Sequence, residues 1–243
     1  MSDIKQYGSY FTFGDIVSSD YYVWISGTGT YGTSQREMSF LTVPGRWGDL
    51  LEDGKRFGNI DITYPCFIAK SFPDRFAAFR AAMAAKAGQY LMLSDTYHPG
   101  EFRLAAFRGK LTPETGMANK SGSFDVTFNC KPQRYLNSGT QIQTLTATGT
   151  ITNPTLFTAR PNIRVYGQGA LGVNGDTITI TENSFPYIDI DSEAMSAFYV
   201  ASNANGYIAT TGDDFPLLQP GVNNISLGSG ITRIEVQPRW FTL

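Results

Sequence analysis

Histidine occurs once in this chain, at position 98, and cysteine twice, at 66 and 130, with no CxxC pair. Structural zinc takes four Cys or His ligands and a redox dithiol needs paired cysteines, so neither chemistry has its residues here. Two cysteines are also too few for a disulfide framework, and Cys66 and Cys130 read as buried thiols. Charge is scarce: Asp, Glu, Lys and Arg make up 16% of the chain, below the roughly 25% usual in soluble proteins. After residue 140 there is no lysine or histidine and only four arginines. A net charge of −2 provides no overall attraction to nucleic acid or to an anionic membrane. No stretch approaches the ~20 apolar residues that span a bilayer. The opening Met1-Ser2-Asp3-Ile4-Lys5-Gln6-Tyr7 lacks the basic region and apolar run of a signal peptide. The expectation is a chain made and folded in a cytoplasm, without membrane insertion.

Aromatics are plentiful at 14%, and 25 glycines accompany them, a balance that favours β-structure with much of its surface covered by partners. The 243 residues suffice for two domains of roughly 100 to 150 residues each. Residues 1–140 carry 15 Lys and Arg against 13 Asp and Glu, whereas 141–243 carry 4 against 8, so the two parts differ in electrostatic character. From Ser138 the composition turns to Thr, Gly, Asn and Ser, which places a boundary near 137–141 and predicts domains over 1–139 and 140–236.

In the first part, runs at 21–25, 38–43, 59–64, 90–93, 102–107 and 124–130 read as strands bounded by turn residues. One helix interrupts them. Pro73 suits a first helical turn, Asp74 places negative charge at the positive end of the dipole, and Phe76, Phe79 and Met83 form a stripe before Gly88 stops the run. Ala77, Ala78, Ala81, Ala82, Ala84 and Ala85 make the opposite face, which fits either solvent or a packed neighbour. In the second part, 140–152 reads as a linker merging into a strand. Residues 162–166, 177–181, 187–190 and 231–236 alternate as half-buried strands, and Asn174-Gly175 and Asn205-Gly206 read as two-residue hairpin turns. The expected fold class is mainly β with one helix, a β-sandwich with an α-helix followed by a second β-sandwich.

Candidate chemistry is thin. His98 lies in the turn Asp95-Thr96-Tyr97-His98-Pro99-Gly100, with no Gly-x-Ser-x-Gly elbow to support a catalytic triad, and reads as a loop residue. Asp189, Asp191 and Glu193 imitate a calcium ladder, but Ile188 and Ile190 alternate with them, so the acids are expected simply to project outward. Asp213-Asp214 is a comparable turn-like pair. Gly48 to Gly54-Lys55 imitates a phosphate loop, yet five residues separate the glycines and Arg56 follows the lysine, where the Walker motif needs four residues and then Ser or Thr. Tyr199, Tyr207, Phe215, Trp240 and Phe241 are candidates for stacking on sugars, against core packing as the plainer reading. No catalytic, cofactor-binding or metal site is predicted, and a hydrolase has neither paired carboxylates nor a nucleophile with its base.

What remains is a surface. Pro44-Gly45-Arg46-Trp47-Gly48-Asp49 opens a glycine-punctuated hairpin that runs to Gly58, and Phe128-Asn129-Cys130-Lys131-Pro132-Gln133-Arg134-Tyr135-Leu136-Asn137-Ser138-Gly139 closes the same half. Together these phrases resemble the distal tail protein (Dit) family of long, non-contractile-tailed bacteriophages, the siphoviruses. The likeness covers most of 36–139 and the remainder more loosely. Trp47 stands where the family's Pro-Gly-Arg-Asn-Gly-Asp-like hairpin has asparagine, which exchanges a polar turn contact for an apolar one.

The resemblance implies a ring-forming N-terminal β-sandwich with a helix and a galectin-like C-terminal β-sandwich. It implies a virion protein of the tail tip or baseplate, a homohexamer joining the tail tube protein to the tail-associated hub protein. Receptor-binding or other baseplate proteins would surround it. Arg46, Trp47, Asp49 and Arg56 become candidates for inter-subunit contact. Trp240 becomes the anchor of a last segment, 237–243, that returns to the ring domain. The alternative function is a carbohydrate-binding module for host-surface attachment through the C-terminal domain. Against it, the histidine-bearing sugar motif of true galectins is missing from 141–243, and fold alone does not fix function.

Overall fold

A computed structural model describes residues 8–27, 32–182, 184–212 and 215–243, so the expectations for 1–7 and for Asp213-Asp214 lie outside the described residues. The chain forms two compact units, Met1–Arg134 with Leu243, and Tyr135–Thr242. The first holds strands β1 (Phe11–Phe13), β2 (Ile16–Val17), β3 (Trp24–Ile25), β4 (Arg36–Leu41), β5 (Leu50–Phe57) and β6 (Ile60–Ile68), then helix α1 (Phe72–Ala85). Strands β7 (Tyr90–Asp95), β8 (Glu101–Phe107), β9 (Glu114–Gly116) and β10 (Ser121–Leu136) complete it, the last two residues of β10 being counted with the second unit. They form one antiparallel sheet in the order β2-β1-β7-β8-β10-β6-β3, with β9 also paired to β10, while β4 and β5 pair, among the described residues, only with each other.

Alternation builds that sheet. Ile62, Tyr64, Cys66 and Ile68 of β6 and Phe124, Val126, Phe128 and Cys130 of β10 point to one buried side, in a register that sets Phe128 against Ile62 and Val126 against Tyr64. The stripe of α1 covers this side. Phe72, Phe76, Phe79 and Met83 are buried, and the rings of Phe76 and Phe79 lie 5.0 and 5.8 Å from that of Phe124. Of the alanine face, Ala77, Ala78, Ala81, Ala84 and Ala85 are exposed and Ala82 is half-buried. Cys66 and Cys130 are free and buried. Burial pushes the Cys66 thiol far above its usual range and that of Cys130 up to about 12, so neither is a ready nucleophile.

Two strands depart from expectation for local reasons. The 21–25 run is a strand only at Trp24–Ile25, because Ser18–Tyr21 winds into a 3-10 turn and Tyr22 takes a left-handed conformation. The Ser18 hydroxyl accepts from the Phe11 N–H and donates to the Val23 carbonyl, local bonds that compete with a sheet ladder. β6 continues through Pro65, where a strand break was expected. The Pro65 carbonyl accepts the Ser26 N–H, so its missing N–H falls on the β3 side of the strand, where β3 has already ended, and the β10 ladder is intact.

The second unit contains β11 (Gln143–Leu145), β12 (Gly149–Asn153), β13 (Asn162–Gly167), β14 (Gly169–Val173), β15 (Asp176–Ile180) and β16 (Ile188–Asp191). Strands β17 (Ser196–Tyr199), β18 (Ser202–Asn203), β19 (Ile208–Thr210), β20 (Gly221–Leu227), β21 (Ile231–Gln237) and β22 (Phe241–Thr242) follow. Two sheets, β11-β21-β13-β16-β17-β18 and β12-β20-β14-β15-β19, enclose a core of Ile163, Val165, Ile190, Ile234 and Val236 against Ile151, Leu171, Ile178 and Ile225. The 140–152 stretch therefore supplies β11 and most of β12 rather than a linker. Asn174-Gly175 makes the expected turn, with φ of 54° and 102°. Asn205-Gly206 does not. It sits in a 3-10 turn, with the Asn205 side chain accepting the Ala197 N–H at 2.6 Å. The fold class is mainly β, with one α-helix among the described residues.

Candidate assembly interface

The 36–57 hairpin is the element whose residues are least explained by the fold of a single chain. Arg46 N–H donates to the Val43 carbonyl across Pro44-Gly45, a turn that needs positive φ at its third position, and both Gly45 and Gly48 have φ of +79°. The Thr42 hydroxyl donates to Asp49 at 2.9 Å and closes the base of this tip. Further down, Arg36 grips Asp53 through two hydrogen bonds of 2.8 and 2.5 Å, and Arg56 pairs with Glu37 at 2.9 Å. The Arg36 guanidinium, bonded in this way, holds the Asp53 carboxyl below its ordinary value. The Gly54-Lys55 that imitates a phosphate loop lies inside β5, with no helix behind it to receive a phosphate.

These bonds hold a two-stranded ribbon that offers little burial of its own, and such ribbons are marginal in water. Its register sets Phe40 opposite Leu51 on one face and Leu41 opposite Leu50 on the other. All four are exposed, Phe40 by 64%, together with Met38 and Val43. Trp47, at the tip, is 99% exposed. Arg46, Trp47 and Asp49 thus share one loop, while Arg56 lies toward the other end of the ribbon and is engaged by Glu37. The apolar pairs were missed by sequence reasoning. Their signal was present in Phe40-Leu41 and Leu50-Leu51, consecutive apolar residues that in a ribbon occupy both faces.

Trp240 lies elsewhere, buried to 2% exposure in the core of the second unit. Around it, within the second unit, the Leu136 N–H donates to the Trp240 carbonyl, and the Phe241 ring stacks on Phe157.

The outer face of the second unit's β13-β16 sheet is a ladder of aromatic and charged groups. Arg164 holds Asp189 at 2.8 and 3.0 Å and lies 4.1 Å over the Tyr187 ring, while Arg233 lies 3.9 Å over Tyr166. Asp189 is only 4% exposed, so the expectation of a carboxylate projecting freely outward is corrected. It does leave the isoleucine side, but there it is paired with Arg164 from the neighbouring strand β13. With guanidinium groups over Tyr166 and Tyr187, one face of each ring is unavailable to a sugar. His98 is held in its turn by Asp95, whose carboxylate accepts the Tyr97 and His98 backbone N–H groups and the Tyr64 hydroxyl.

Asp191 gives a pH signature. Burial alone would raise its carboxyl, but two 2.8 Å bonds from Arg239 and the N–H groups of Ala194 and Glu193 outweigh burial and hold it below its ordinary value. A carboxylate depressed by folding stabilises above its unfolded value of about 4, and that stabilisation disappears as pH falls through the depressed value. Asp191→Asn is therefore expected to melt earlier than the wild type at pH 7, with the gap closing below about pH 4. Thermal melts across pH 7 to 2 check this, and a gap that stays constant would deny the ion pair its role.

No protein-family model matches the sequence, and no curated protein matches it. Among solved structures, the chain superposes on the SPP1 Dit (gp 19.1) protein, described as a paradigm of hub adsorption apparatus in Gram-positive-infecting phages. The TM-score is 0.69 over 94% of this chain and 97% of that one, at 12% identity. Chains of the phage P2 baseplate in its activated conformation, with Ca and with Sr, give TM-scores of 0.52 and 0.50, each at 12% identity over 94% of this chain and 96% of theirs. Over nearly its whole length, this chain has the fold of a phage distal tail (Dit) protein.

Proposed function

We propose that this chain is a non-enzymatic structural hub of a siphovirus tail tip. Residues 1–139 form a homohexameric ring between the tail tube protein and the tail-associated hub protein, and 140–236 form a galectin-like sandwich that presents an outer docking surface to receptor-binding or other baseplate proteins. The observation that carries this reading is the likeness to the SPP1 Dit protein across 94% of the chain. The exposed hairpin supports it. A ring requires heterologous contacts in which two unlike surfaces of each subunit meet different neighbours, and it needs substantial area at both.

Mass photometry and negative-stain images of the purified chain, alone and mixed with tail tube protein, test the reading. Six-fold rings are expected. A chain that stays monomeric at high concentration and in the presence of the tube protein would sink the proposal.

A further inference from the structure

Each face of the β4–β5 ribbon has a distinct composition. Met38, Phe40 and Thr42 share one face with Asp49, Leu51 and Asp53, since Phe40 is paired with Leu51 and Met38 with Asp53. This face is apolar in its middle and acidic at its tip. Asp53 is already gripped by Arg36, but Asp49 accepts only the Thr42 hydroxyl and has no cationic partner among the described residues.

A second uncovered apolar surface exists in the same unit. Outside the hairpin, the large hydrophobics exposed in the first unit are, among the described residues, Tyr22, Tyr90 and Met92. Tyr90 and Met92, each 49% exposed, share the outer face of β7–β8 with their cross-strand partners Ala106 and Leu104, while Leu93 and Ala105 point into the core. Beside them stands a cation. Lys131 lies 5.1 Å from the Tyr90 ring centre and has no carboxylate partner among the described residues.

We infer that the Met38–Phe40–Leu51 face of the hairpin packs on the Tyr90–Met92–Leu104 face of a second copy of this chain, with Asp49 meeting Lys131. The occupant is a second copy because the two surfaces complement each other in charge as well as in apolar character. One is a ribbon with a free acid, the other a sheet face with a free base, and sheet faces pack on one another through such alternating side chains. The contact is head-to-tail, since the surfaces are different parts of the molecule, and repetition of a head-to-tail contact yields a ring or a filament. The inference rests on the ring reading above and names the surface that receives the hairpin.

The test uses the full chain with Phe40→Cys and Met92→Cys combined, or Phe40→Cys with Ala106→Cys should the first pair fold poorly. Cys66 and Cys130 are buried at 1% and 0% exposure and do not compete. On mild oxidation a non-reducing gel is expected to show trimers and higher species for the double variant and none for either single one. In parallel, Asp49→Lys and Lys131→Glu should each weaken association by roughly ten-fold, and the two together should restore most of it.

If the wild type forms rings but the double-cysteine variants give no cross-link and the charge exchange no rescue, the hairpin docks elsewhere and this inference falls while the ring reading stands. Cross-linked dimers without higher species would overturn the head-to-tail contact. A wild type that stays monomeric at every concentration, with and without the tail tube protein, would overturn the ring reading and this inference with it.

Discussion

Replacing Trp240 with alanine is expected to destabilise the second unit by about 3 to 5 kcal/mol, the usual cost of emptying a buried aromatic site. The indole is 2% exposed and is the largest of the fully buried side chains among the described residues. The surrounding backbone has little freedom to collapse into the vacated space. Gly139 lies so close that a Cβ there would meet the Trp240 nitrogen, the Arg239 N–H donates to the Gly139 carbonyl at 2.8 Å, and Arg239 itself takes φ of 59°. Because this segment is pinned on both sides, the cavity should persist and the cost should fall in the upper part of the range. For a unit of this size such a loss lowers the melting temperature by roughly 15 °C or more. Urea and thermal denaturation measure it, with Trp240→Phe as a milder companion. A loss below about 1 kcal/mol would mean that the ring does not fill the core.

Local pattern made part of this fold legible. Helix α1 was readable because its start, its apolar stripe and its stop are all local: Pro73 and Asp74, then Phe76, Phe79 and Met83, then Gly88. The 124–130 part of β10 was readable because Phe124, Val126, Phe128 and Cys130 keep a strict period of two, whereas its extension to Ser121 and through Pro132 to Leu136 was not. Failures arose where a distant group decides. The continuation of β6 through Pro65 depends on where β3 stops, a fact of the sheet and not of the Pro65 neighbourhood. The burial of Asp189 goes with its pairing to Arg164 on the neighbouring strand β13, which the isoleucine alternation beside it cannot reveal. Asn205-Gly206 has the composition of a hairpin turn, but the Asn205 side chain is bonded to Ala197. In the hairpin, the glycines and charges of the tip were conspicuous in the sequence, whereas the exposure of Phe40, Leu41, Leu50 and Leu51 is settled by the ribbon standing apart from the main sheet.

Trp47→Ala should have the opposite profile to Trp240→Ala: unchanged folding and lost assembly. A side chain that is 99% exposed buries almost nothing in the folded chain, so its removal should alter stability by no more than about 0.5 kcal/mol. The tip conformation does not depend on it either, since Pro44, Gly45 and Gly48 set the backbone and the Thr42–Asp49 bond closes the loop. Holding a tryptophan in water at the end of a rigid tip serves no purpose within the single chain, and tryptophan is among the residues that dominate binding energy when a partner covers them. Its truncation at the centre of an interface typically costs about 2 kcal/mol or more, or roughly 30-fold in affinity. Thermal melts of Trp47→Ala should therefore overlay the wild type, while mass photometry across a concentration series should show assembly displaced to at least that much higher concentration. Association within two-fold of the wild type, with the melts overlaid, would remove Trp47 from the interface and leave the apolar faces of the ribbon as the part of the hairpin that binds.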